Sequence, residues 1–362
     1  MYRIYCNGNI LHHPMTRNVA ESAILVEELN TQGSLDIVLG PDADTVKILS
    51  PVTVFDDDGL VWRGRILSID GGANLTRNVH CEGALGLLND CVVPPFGFRG
   101  NPSDLFTAFM GYASDVGLTK GTMSVTDPNN YVYRANSEPM SVWDALMEKL
   151  VNTPLGGYIT LTGADLTVVN YVSDFLKNGN PDTCGQVVRF GKNIIEFAQS
   201  MTADGLITAM HGYGAQYDES SQSHEDEPIP AGQTGFGTWN GNRLHGYATN
   251  SSAVAKFGTI VGFNTWDDIT QSANLANAMN RYLTDNINAH VASVEVKAAD
   301  LSLIDGSIEK IKVGKYVRCI YEPTDFDELL LCIRKDTDLI DVKNTQITLG
   351  RRAATLSGMV GG

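Results

Sequence analysis

Six cysteines, seven histidines and 42 acidic residues are the groups in this 362-residue chain that could do chemistry. A zinc or other transition-metal centre needs ligands at short spacings that share a face, such as His-Glu-x-x-His or Cys-x-x-Cys. The histidines are His12-His13, His80, His211, His224, His245 and His290, and the cysteines are Cys6, Cys81, Cys91, Cys184, Cys319 and Cys332, so neither pattern occurs. Ser223-His224-Glu225-Asp226-Glu227 could draw a cation by charge alone, but it reads as a solvated acidic loop. Nucleophilic catalysis lacks a Gly-x-Ser-x-Gly elbow. His80 stands beside Cys81, but neighbours on a strand point to opposite faces, so the imidazole is badly placed as a base for that thiol.

A glycosidase needs only two carboxyl groups about 5–10 Å apart. Nothing in the local sequence marks one such pair among the acidic residues. Gly212-Tyr213-Gly214 and Gly235-Phe236-Gly237 lack the Lys and the strand–loop–helix setting of a phosphate loop, and read as turns. No catalytic, cofactor-binding or metal-ligating residue is assigned, and no cofactor is expected.

Composition points the same way. Lys and Arg number 26 against 42 acidic residues, a net charge of −16, which opposes binding to a phosphate backbone. Arg351-Arg352 and Arg334-Lys335 are too short to form a basic stripe. The cysteines sit in apolar runs such as Val317-Arg-Cys-Ile320, which favours reduced, buried thiols, with a Cys81–Cys91 disulfide left open. The N-terminus has no signal-peptide pattern, and no apolar run reaches the ~20 residues that span a bilayer. Synthesis and folding in a cytoplasm are expected.

The elements that would carry these groups are short strands and turns, as 36 glycines suggest. Strands are predicted at Ser34–Leu39 and Val46–Leu49, and a hairpin at Val52–Phe55 and Leu60–Ile66 around Asp56-Asp57-Asp58-Gly59. Another strand is placed at Leu75–Cys81. Helices follow at Asp104–Val116, stopped by Gly117, and after the capping box Ser141-Val-Trp-Asp144, with a hairpin at Tyr158–Leu161 and Leu166–Tyr171. A strand at Gly205–Tyr213 precedes the acidic stretch Tyr217–Pro230, and Lys256–Phe263 is a further apolar stretch. Thr265-Trp-Asp-Asp268 reads as a capping box for a third helix reaching about Asn286. Strands return at His290–Val296, Lys315–Tyr321, Leu329–Arg334 and Gln346–Leu349. Val52–Ile66 and Val317–Arg334 echo each other: an apolar run, an acidic turn, and an apolar run with nearby arginine.

Asn78-Val-His-Cys-Glu-Gly-Ala-Leu-Gly-Leu-Leu-Asn-Asp90 followed by Pro94-Pro-Phe96 resembles the signature of phage tail-tip (baseplate) hub proteins, including the N-terminal hub region of siphophage tail-associated lysins and prophage minor structural proteins. Glu138-Pro-Met-Ser-Val-Trp-Asp-Ala-Leu146, Gly258-Thr-Ile-Val-Gly-Phe263, Ile311-Lys-Val-Gly-Lys-Tyr-Val317 and Ile347-Thr-Leu-Gly350 follow in the same order. The likeness spans residues 1 to about 350.

The resemblance implies an α+β, β-rich fold: two tail-tube-like β-barrels with two inserted smaller α+β domains, baseplate-hub-like. Its divisions are 1–82, first barrel; 83–193, α+β domain; 194–225 and 300–350, second barrel; 226–299, inserted domain with a helix at about 266–286; 351–362, flexible tail. The implied function is a structural, non-enzymatic hub subunit of the distal tail tip in the virion. It would form a homotrimer that adapts a hexameric tail tube to a threefold tip. The implied partners are the distal tail protein, tail tube and tape-measure proteins, tail fibre or receptor-binding proteins, and DNA passing without specific binding. Many relatives continue into an enzyme or receptor-binding region, whereas this sequence stops about ten residues past the pattern. Two other readings stay open: a cell-wall hydrolase with an unmarked carboxylate pair, and a receptor- or carbohydrate-binding module resting on Trp239, Trp266 and the loop around Phe236.

Overall fold

The computed structural model describes residues 1–16, 20–41, 46–71, 75–125, 131–153, 155–173, 181–200, 205–216, 243–267, 269–291 and 293–351. Among them, 23 strands and few helices build four apolar cores. The largest sheet has 13 strands and takes them from both ends of the chain.

That sheet contains one strand arrangement twice. Arg3–Cys6, Ser22–Glu28, Ser34–Leu39, Pro51–Phe55, Leu60–Gly71 and Arg77–Gly83 lie side by side in the order second, third, sixth, fifth, fourth, first. Thr183–Arg189, Ile194–Ser200, Ser293–Ala298, Tyr316–Tyr321, Phe326–Asp338 and Gln346–Arg351 repeat that order. The first strand of each set differs in direction: Arg3–Cys6 runs antiparallel to its neighbour, and Thr183–Arg189 runs parallel.

The match extends to irregularities. Each long fifth strand bulges against the sixth: Ile66 faces Cys81 while Ser68 faces His80, and Cys332 faces Leu349 while Arg334 faces Thr348. Each therefore leaves one extra residue, Leu67 or Ile333, which bends the strand. Before each fourth strand the chain turns through a residue of positive φ, Leu49 at 62° and Gly314 at 90°. The Leu49 and Gly314 amides donate to Ile66 and Cys332 carbonyls, and the Ile66 and Cys332 amides donate back to Ser50 and Lys315 carbonyls. The two hairpins that echo in the sequence are thus corresponding parts of the two sets.

The sets are joined by a seam. Ser22–Glu28 pairs antiparallel with the far half of Phe326–Asp338, from Arg334 opposite Glu28 to Asp338 opposite Ile24. Inward residues of the first set, among them Ile4, Leu35, Ile37, Val52 and Ile66, form one core, and Val188, Val296, Val317, Cys319, Leu330 and Ile347 form the other. The alternation in Thr183–Arg189, every second residue buried, is that of a half-buried strand.

Between the sets lies an α+β unit. Asn101 caps α1 (Pro102–Gly111) by accepting from the Asp104 amide at 2.8 Å, and Ser141 caps α2 (Val142–Leu146) likewise at 3.0 Å. Leu105, Phe106, Phe109, Trp143, Leu146 and Tyr171 fill its core, with the hairpin Tyr158–Thr162 and Val168–Val172 closing one side. In the second set, the connection between strands two and three expands into a further unit. It has a three-stranded sheet of Ala209–Gln216, Arg243–Thr249 and Val261–Thr265, with α3 (Ser251–Phe257) and α4 (Ser272–Val291). Met210, Leu244, Leu275, Met279 and Leu283 make its core.

Several expected boundaries move. Thr183–Arg189, expected within the α+β block, belongs to the second strand set because it pairs with Tyr316–Tyr321. The strand expected at Gly205–Tyr213 joins the inserted unit rather than the second set, because Arg243–Thr249 and Val261–Thr265 flank it. Thr265 does not cap the third long helix: it ends a strand, and the Trp266 amide donates to the Tyr213 carbonyl. α4 starts seven residues later and runs through His290 and Val291, expected as strand. Val46–Leu49 forms a turn instead of a strand. The first helix ends at Gly111, with a separate 3-10 turn at Ser114–Val116 before Gly117 at φ 72°.

Candidate functional site: an assembly seam

Among the described residues, no group of three or more His, Cys, Asp or Glu side chains could hold a metal ion. His211 Nδ1 lies 3.0 Å from His245 Nε2, with the rings stacked across the sheet of the inserted unit. Burial and the neighbouring His211 push the His245 imidazole below its usual range, which favours the neutral ring in this pair. His80 shares a 2.6 Å contact with Asp36 on the exposed face, while Cys81 is fully buried on the other. All six cysteines are buried and unpaired, so Cys81 and Cys91 form no disulfide. Burial pushes the thiols of Cys81, Cys319 and Cys332 up to about 12, far from the range of a reactive thiolate.

Trp266 meets Tyr282 edge-on and packs on the core of the inserted unit. His224, Ser223–Glu227, Gly235–Gly237, Trp239 and the tail from residue 352 lie outside the described residues, as does Asp268 of the expected capping box.

The most concentrated buried chemistry instead lies behind the seam. Lys335 Nζ is 2.9 Å from Asp300 Oδ2 and also donates to the Ile311 carbonyl at 2.9 Å. Asp300 further accepts from Gln186 Nε2 at 3.0 Å, from the Ser302 amide and hydroxyl, and from the Ile311 amide. Burial alone would push the Asp300 carboxyl up. Lys335 and these hydrogen bonds outweigh it and hold the group below its usual range. The reverse balance raises Lys335: burial opposes its charge, and Asp300 outweighs burial. The pair is therefore ionised at neutral pH. Directly across the seam from Lys335 is Glu27, whose carboxyl burial pushes up against the pull of Lys335 and Lys312.

A second charged contact ties the sets at the hairpin turn. Lys310 Nζ meets Asp56 Oδ2 at 2.6 Å and also bonds Asp58. Asp56 shapes that turn by accepting from the Asp58 and Gly59 amides at 2.8 and 3.1 Å. Other contacts fix the remaining units: Tyr158 Oη donates to the Gly314 carbonyl at 3.0 Å, and Arg281 Nη2 donates to the Leu155 carbonyl at 2.5 Å. This arrangement has the chemistry of a rigid frame: desolvated charges are paired and backbone edges are joined. Sequence reading missed Asp300, Lys335 and Glu27, which stand far apart along the chain. The only available signal was a lysine and an aspartate bordering apolar runs.

Residues 182–359 match the family described as prophage endopeptidase tail. Over these residues the chain is similar to phage tail proteins. The match takes in the second strand set and the unit inserted in it. Solved structures extend the likeness over the whole fold. Prophage tail protein gp18 from Listeria monocytogenes EGD-e is 13% identical with a TM-score of 0.66, covering 99% of this chain and 96% of its own. The 43 kDa tail protein of prophage MuSo2 from Shewanella oneidensis is 12% identical with a TM-score of 0.67, at 99% coverage of both chains. A tail protein from Neisseria meningitidis MC58 is 14% identical with a TM-score of 0.65, covering 97% of this chain and 96% of its own. No curated protein sequence matches this chain.

Proposed function

We propose that this chain is a structural hub subunit of the virion's tail tip. Three chains close into a ring that adapts a hexameric tail tube to a threefold tip and surrounds the DNA channel. The observation that carries the reading is the twofold repetition of a six-strand set within one chain. Three such chains present six sets, which is what a sixfold tube requires of a threefold cap. In this reading each set is a tail-tube-like β-barrel domain, the first about 1–83 and the second about 181–200 with 293–351. The unit at 84–173 and the one at 205–291 are the two inserted domains.

The net charge of −16 suits a channel through which DNA passes without being held. The partners would be the distal tail, tail tube and tape-measure proteins on one side and fibre or receptor-binding proteins on the other. The proposed role is non-enzymatic, although the matched family's description contains the word endopeptidase. Negative-stain images of the purified protein test the proposal: threefold rings with an open or plugged centre support it, and isolated single-chain particles oppose it. A zymogram on bacterial cell walls addresses the hydrolase alternative, because lysis by this chain alone would overturn a purely structural role.

A further inference from the structure

The seam inside the chain supplies a template for the contact between chains. In the seam, the second strand of the first set pairs with the far half of the fifth strand of the second set. The converse elements are the second strand of the second set, Ile194–Ser200, and the far half of the first set's fifth strand, from Ser68 to Gly71. Each has one strand neighbour among the described residues along this stretch. Ile194–Ser200 pairs with Ser293–Ala298, and Ser68–Gly71 pairs with Arg77–His80. Among the described residues no strand pairs with their other edges, and an open strand edge invites another strand. Exposed apolar side chains flank both edges: Ile195 is 57% exposed and Leu67 41%.

We infer that Ile194–Ser200 of one copy pairs antiparallel with Ser68–Gly71 of the next copy, in the register of the internal seam. The register follows from correspondences already described. The shared bulge places Ser68, Ile69, Asp70 and Gly71 where Arg334, Lys335, Asp336 and Thr337 stand. On the other strand, Leu25 faces Leu35, and Phe197 faces Val296, at the same place in each sheet. Val26 therefore corresponds to Ala198, and Glu27 to Gln199. The internal pairs Lys335–Glu27, Asp336–Val26 and Thr337–Leu25 then become Ile69–Gln199, Asp70–Ala198 and Gly71–Phe197 between copies.

The charged pair Arg334–Glu28 of the internal seam has no charged counterpart at Ser68, so backbone pairing and the apolar flanks carry the contact. The two edges are different surfaces, so the contact is head-to-tail and must close into a ring or run on as a filament. Closure at three rests on the hub reading.

Site-directed disulfide formation tests the register. Asp70 and Ala198 are both exposed, and the six native cysteines are buried, so background linkage is small. Mixing the single variants Asp70→Cys and Ala198→Cys under copper–phenanthroline oxidation should give covalent dimers, and the double variant a ladder ending at trimer. Gln199→Cys is the control partner for Asp70→Cys, because a one-residue shift turns the side chain to the opposite face. Linkage of the Ala198 pair but not the Gln199 pair supports the inference. Equal linkage of both pairs overturns it. A trimeric mass with no Asp70–Ala198 linkage overturns the register while leaving the ring reading standing, and a monomeric mass with no linkage overturns both.

Discussion

Lys335 Nζ and Asp300 Oδ2 meet at 2.9 Å with side chains 9% and 0% exposed, directly behind the seam that joins the two strand sets. Such a pair gains little over an apolar pair of the same shape, but breaking it strands a charge out of water. Asp300→Ala should therefore destabilise the fold by about 3–5 kcal/mol. Asp300→Leu combined with Lys335→Met should recover much of that loss. Urea unfolding followed by circular dichroism measures both. A loss below about 1 kcal/mol for Asp300→Ala would remove the pair from any role in holding the seam.

The same pair predicts a direction with pH. The Asp300 carboxyl lies lower in the folded protein than in the unfolded chain. Its contribution is therefore complete above the unfolded value, about 3.9, and is lost as pH falls through the folded value. The stability gap between the native protein and Asp300→Asn should be constant from neutral pH down to about 5 and then shrink on further acidification. Denaturation midpoints of the two proteins across that range check it, and a gap that widens on acidification would reverse the assigned sign.

Close backbone approach gives a third prediction. Gly64 and Gly83 face each other across two strands beside Trp62. A Cβ on Gly83 would lie 2.0 Å from the Gln32 carbonyl oxygen, which is fixed backbone, whereas a Cβ on Gly40 would meet nothing within 4 Å. Gly83→Ala should cost roughly 1–3 kcal/mol through forced backbone shifts. Gly40→Ala should be close to neutral. Thermal melts of the two variants separate a steric requirement from a general sensitivity to losing glycine.

How much of this was legible beforehand varies with the physics involved. Ser34–Leu39 and the Asp56–Gly59 hairpin were readable because strand alternation and turn residues are local signals. The Ser141 cap was readable for the same reason. The seam was not. Alternation through Leu330 and Cys332 would place Arg334 and Asp336 inward, but the bulge at Ile333 shifts the phase and buries Lys335 and Thr337 instead. A bulge of this kind is set by the partner strand and leaves no mark in composition. Thr265–Asp267 misled for a related reason: a capping pattern says nothing about a strand that arrives from residues 209–213.

In the proposed hub, the two strand sets of one chain make one third of a closed ring. Sedimentation equilibrium of the native protein tests it most directly. A single species at three times the 39.2 kDa of one chain is expected. A mass of one chain at every concentration tested, up to that of a concentrated stock, would contradict it.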